Sequence, residues 1–102
     1  MTTLNYIACF FAGGFFANVV PHFVHGISGD SFPTPFANPP GKGLSSPTVN
    51  VVWSLLNLVV GYLLFRAGHL AFGAPLALLV FFAGVAAISL PMSLHFREKH
   101  SR

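Results

Sequence analysis

Three apolar runs, at about 4–27, 47–65 and 74–96, set the terms on which this chain can fold. Each is close to the roughly 20 residues that an α-helix needs to cross a bilayer. Between Leu4 and Phe96 only Asp30, Lys42 and Arg66 carry charge, and none of them interrupts a run. Over the 102 residues the charged fraction is 7%, where a soluble domain has roughly 25%. Mean hydropathy is +0.72. A chain so poor in charge cannot cover its surface in water. It reads as an all-α integral membrane protein of a single domain, with three transmembrane helices. An ordered Pro/Gly-rich connection at 28–46 joins the first two, and a basic tail occupies 97–102.

The first run begins within the N-terminal Met-Thr-Thr-Leu-Asn-Tyr, with no basic residue before it and no small-x-small cleavage pattern after it. It is therefore expected to be a retained span and not a signal peptide. Pro21 lies near its end and should bend the last turns. The connection holds Pro33, Pro35, Pro39 and Pro40 with Gly29, Gly41 and Gly43, a density that should exclude helix and regular strand. Phe32, Phe36 and Leu44 make it too apolar for a free tether, so it is expected to lie at the interface or against the bundle. Ser46 followed by Pro47 is a strong start signal for the second helix.

Within that helix, Asn50, Ser54, Asn57 and Gly61 fall on one face, and Val, Leu and Phe fill the others. A polar stripe on a membrane helix belongs against protein or water. It reads as a seam between helices or subunits, and the sharper alternative is a pore lining built from several copies. In the third run Ala83, Gly84 and Ala87 are small residues that let backbones approach.

Three spans put the termini on opposite sides. With the tail on the cytoplasmic side, Lys42, Arg97, Lys99 and Arg102 lie inside and Arg66 alone lies outside. That distribution agrees with the excess of basic residues on cytoplasmic loops, and points to a bacterial inner membrane with the N-terminus outside. The same topology brings His22 and His25, from the inner end of the first span, to the level of His95 in the third and Asn50 in the second. Neutral imidazoles suit a transition metal, and a first-span His with His95 could supply axial ligands to haem, Gly13, Gly14 and Gly84 giving the ring room. The plainer reading has them at headgroup level, hydrogen-bonded across helices, with no cofactor. Lys42 with Ser45 and Ser46 could hold an anion or lipid headgroup at the start of the second helix.

The single cysteine, Cys9, has no basic neighbour and should act as a small apolar residue. Trp53 and Tyr62 read as packing or interface anchors. Asp30 and Glu98 are the only acids, and no nucleophile stands beside a base, so an enzyme is not expected. A basic tail this short has no face for nucleic acid. The expected partners are membrane lipids, other membrane subunits and further copies of the chain. The leading expectation is a structural or accessory subunit of a membrane assembly. The alternatives are a small oligomeric channel or transporter and a haem- or metal-binding membrane protein.

Overall fold

The computed structural model describes residues 2–68 and 75–97. It contains three helices, α1 (Thr3–Ile27), α2 (Pro47–Ala67) and α3 (Pro75–Arg97). All three are long and apolar enough to cross a membrane, and the chain is an integral membrane protein. Two helices outrun their apolar runs: α2 continues to Ala67, and α3 takes in Arg97, which therefore belongs to the helix and not to a tail. The expected turn residues His69 and Gly73 and the tail residues Glu98, Lys99 and Arg102 lie outside the described residues.

Local chemistry explains the helix ends. Thr2 caps α1 by accepting from the Asn5 amide, while the Asn5 side chain accepts from the Thr2 backbone. The other end closes with Gly29 at φ +77°, its N–H donating to Gly26 and the Asp30 N–H reaching back to the His25 carbonyl. A residue with a Cβ would resist that left-handed conformation, which is why glycine stands there. Ser46 caps α2 through its hydroxyl, which accepts from Val49 N–H at 3.2 Å, and Pro47 fills the first position, where no donor is needed. The α2 C-terminus is finished by α1. Asn5 Nδ2 donates to the Ala67 carbonyl at 2.9 Å, and the buried Cys9 thiol donates to the Gly68 carbonyl at 3.5 Å.

α1 is the central helix, and both neighbours pack on it. Against α3 the contact is backbone on backbone. A Cβ at Gly13 would overlap the Phe81 carbonyl oxygen, and one at Gly84 would overlap that of Phe10. Such an approach lets weak Cα–H···O contacts and dispersion hold two helices that lipid has no reason to push together. α2 and α3 make few contacts with each other. The rings of Phe16, Phe65 and Phe81 bring all three helices together, with centroids 6.0–6.4 Å apart. Phe11, Gly14 and Asn18 of α1 form the floor of a groove between Trp53 and Asn57 of α2 and Ile88 of α3.

The connection folds over the neighbouring space, where Pro33, Thr34 and Gly41 line a cavity with Asn18 and Trp53. Its proline content was expected to exclude strand, yet β1 (Phe32–Pro33) and β2 (Leu44–Ser45) pair antiparallel, Phe32 opposite Ser45 and Pro33 opposite Leu44. Two residues per strand are tolerated because Pro33, which lacks a donor, sits at the end of the ladder. Side chains supply what the ladder lacks: the Thr34 and Ser45 hydroxyls bond to each other, and the Thr34 carbonyl accepts from both Ala37 and Gly41 N–H. Gly41 takes φ +73° at this turn.

Candidate functional site

The four residues of the polar stripe are the buried residues of α2, and they face α1. Gly61 lies under the Phe16 ring and Phe15, whose atoms would stand 3.0–3.4 Å from an added Cβ. Asn57 Nδ2 donates to the Trp53 carbonyl one turn back (2.8 Å), which leaves its Oδ1 to accept from Asn18 Nδ2 of α1 at 3.0 Å. Ser54 returns its hydroxyl to the Val51 carbonyl at 2.7 Å. Asn50 is fully buried and does the most. Its Nδ2 donates to the carbonyls of Phe32, Ser45 and Ser46 at 3.0–3.2 Å, tying both legs of the hairpin to α2. Its Oδ1 accepts from His22 Nδ1 at 2.7 Å. A pore lined by this stripe would have to be built from side chains that α1 and the connection already cover.

Those bonds fix the hydrogen positions on His22. Because the Asn50 amide nitrogen is committed to carbonyls, its oxygen must face the imidazole, so Nδ1 carries the hydrogen in the neutral ring. His22 is 3% exposed, and among the described residues its Nε2 has no hydrogen-bond partner. His95 Nε2 donates to the Gly41 carbonyl at 2.8 Å, which clamps the turn of the connection onto α3. His22 and His95 line one cavity of about 190 Å³, together with Asn18, Trp53 and the connection residues Pro33 and Thr34. His25 stands apart from it. Its ring stacks on Phe32 with centroids 4.3 Å apart, and its Nδ1 is 3.8 Å from Asp30 Oδ2.

Phe32 is thus the hub on which the three imidazoles are arranged. It meets His22 edge-on at 5.4 Å, stacks with His25, and packs on Phe96 at 4.7 Å, beside His95. Among the described residues no three His, Cys, Asp or Glu side chains come together as a metal site. Of the three glycines suggested to make room for a haem ring, Gly13 and Gly84 have that space filled by the opposing backbone.

The residues considered for an anion site are largely engaged. Ser45 bonds to Thr34, Ser46 caps α2, and Lys42 stands exposed on the turn, where its own N–H bonds to the Pro39 carbonyl. Two contributors are not evident from the sequence. Phe32 reads as one more apolar loop residue, and only its place between two His-bearing helices gives it a role. Trp53 reads as an anchor, but it forms a wall of the cavity, packs against Phe36 at 5.0 Å, and buries an indole N–H without a partner among the described residues. Asn18 carried a sequence signal, since it precedes His22 by one helical turn. A comparison with known protein families, with curated proteins and with solved structures finds no match.

Proposed function

We propose that this membrane protein is a non-enzymatic accessory subunit of a larger assembly in a bacterial inner membrane, with its N-terminus outside and its C-terminus cytoplasmic. The observation that carries this reading is the state of α3. That helix is held along one edge by α1, and only 11% of its most apolar stretch is buried, against 28% for α1 and 22% for α2. Ala83 and Ala87, one turn apart, both face outward. Small residues at that spacing let a second helix approach closely, and the chain itself supplies none on that side. The polar stripe does not compete for the role, because α1 already covers it. The orientation is supported by Lys42 and Arg97 at one end of the bundle and Arg66 at the other.

Purification from native membranes in mild detergent tests this reading. The wild-type chain is expected to run as part of a larger particle, and the double variant Ala83→Leu/Ala87→Leu as a smaller one with unchanged helix content. A wild-type particle containing one chain and nothing else, at every detergent tried, would refute it.

A further inference from the structure

Among the described residues, the polar atoms left without a partner near His22 are three acceptors and one donor. The bonds at Asn50 leave His22 Nε2 as a lone-pair acceptor, and the bond to Gly41 leaves His95 Nδ1 as another. Asn18 must donate through Nδ2 to Asn57, which leaves its Oδ1 as a third. The donor among them is the buried Trp53 N–H. Among the described residues no Lys, Arg, Asp or Glu lines this cavity. Asn18 and Trp53 also line a second cavity, of about 420 Å³, which continues along the groove between Phe11 and Gly14 of α1, Asn57 of α2 and Ile88 of α3. The two spaces adjoin at Asn18 and Trp53, so a polar end rich in acceptors under the connection lies next to an apolar length along α1.

We infer that this groove binds a neutral amphiphile with a hydroxyl-bearing head, placed at Asn18, His22 and His95, and with its hydrocarbon tail along α1 between α2 and α3. A buried imidazole with a free lone pair favours a ligand that donates a hydrogen bond to it. A hydroxyl does so and can also accept from the Trp53 N–H. A phosphate or carbonyl head offers only acceptors, which the Trp53 N–H alone among these atoms can meet, and a phosphate would additionally bring a charge that no Lys or Arg among the described lining residues balances. Two kinds of membrane amphiphile fit this description, an alkylated hydroquinone and a diacylglycerol.

Trp53 is the single tryptophan of the chain and a wall of both cavities, so its emission reports the groove directly. The full chain in mild detergent is titrated with decyl-hydroquinone, with the dimethyl ether of that compound, with dioctanoylglycerol and with phosphatidylglycerol. The expected result is a saturable change with at least one of the two hydroxyl probes, and about tenfold weaker binding of the ether, which keeps the shape but lacks the donors. Binding of only one hydroxyl probe identifies the natural head and supports the inference. Ile88→Phe, which fills the apolar length without touching the polar end, is expected to abolish binding while helix content stays unchanged. His22→Phe should weaken the hydroxyl probe towards the level of the ether. Where that variant fails to fold, the wild-type comparison of hydroquinone with ether decides. Equal binding of hydroquinone and ether, tighter binding of phosphatidylglycerol than of either hydroxyl probe, or no saturable change with any probe overturns the inference.

Discussion

Asn50 shows how much of this fold can rest on a single amide. It lies at the N-terminal end of α2, fully buried, and joins three elements through four hydrogen bonds. Replacing it by leucine removes all four bonds, each worth about 0.5–1.5 kcal/mol net, and leaves the His22 N–H buried without its acceptor. Asn50→Leu is therefore expected to destabilise the protein by about 3 kcal/mol or more in detergent-mediated unfolding. It should also release the connection, so that trypsin cuts at Lys42 several-fold faster than in wild type. Ser54→Ala, at a site just as buried, removes only a bond to its own helix and should change stability by less than about 1 kcal/mol. Equal effects of the two substitutions would mean that the stripe acts through polarity alone and not through the connection. At this scale the sequence was partly legible. The spacing of Asn50, Ser54, Asn57 and Gly61 marks one face of a helix, and that face is the covered one. What covers it could not be read, because Asn18 and His22 lie on another helix and Phe32 in a loop whose course no periodicity describes.

Among the elements, the contrast between glycines separates close packing from mere smallness. Gly13 and Gly84 each sit against a carbonyl of the other helix, whereas a Cβ at Gly14 would meet only Ile88 and Gly84 at 3.7–3.8 Å, an ordinary contact. Gly13→Ala and Gly84→Ala are expected to force α1 and α3 apart and to lower stability by about 2 kcal/mol or more, since backbone cannot move aside as a side chain can. Gly14→Ala should be neutral or stabilising by up to about 1 kcal/mol through helix propensity. Thermal unfolding of the three variants in one detergent makes the comparison. A Gly14→Ala effect as large as the other two would show that the α1–α3 crossing is misplaced. The helices themselves were legible in length and apolar content. The hairpin was not, because its two-residue ladder is held by Thr34, Ser45 and Asn50 side chains and leaves no strand pattern to read.

At the scale of the whole molecule, the arrangement is a central helix with two flanking helices that touch each other chiefly at the cluster of Phe16, Phe65 and Phe81. The asymmetry follows from which faces carry small or polar residues. α1 offers glycine to α3 and asparagine and histidine to α2, and nothing comparable lies between α2 and α3. The proposed orientation predicts that trypsin reaches Lys42 in inverted vesicles and not in intact spheroplasts; the reverse pattern would invert the topology.

The polar stripe is a seam within one chain, closed by α1 and the connection. The most direct test of this is a disulfide between Phe15→Cys and Gly61→Cys in a Cys9→Ser background. In the structure the Phe15 Cβ lies 3.4 Å from an ideal Cβ at position 61, close to the Cβ separation of a disulfide, about 3.5–4.5 Å. Mild oxidation in native membranes is predicted to give an intrachain disulfide in the double variant and no dimer in Gly61→Cys alone. Efficient interchain dimers from Gly61→Cys alone would place the stripe between subunits and contradict the account.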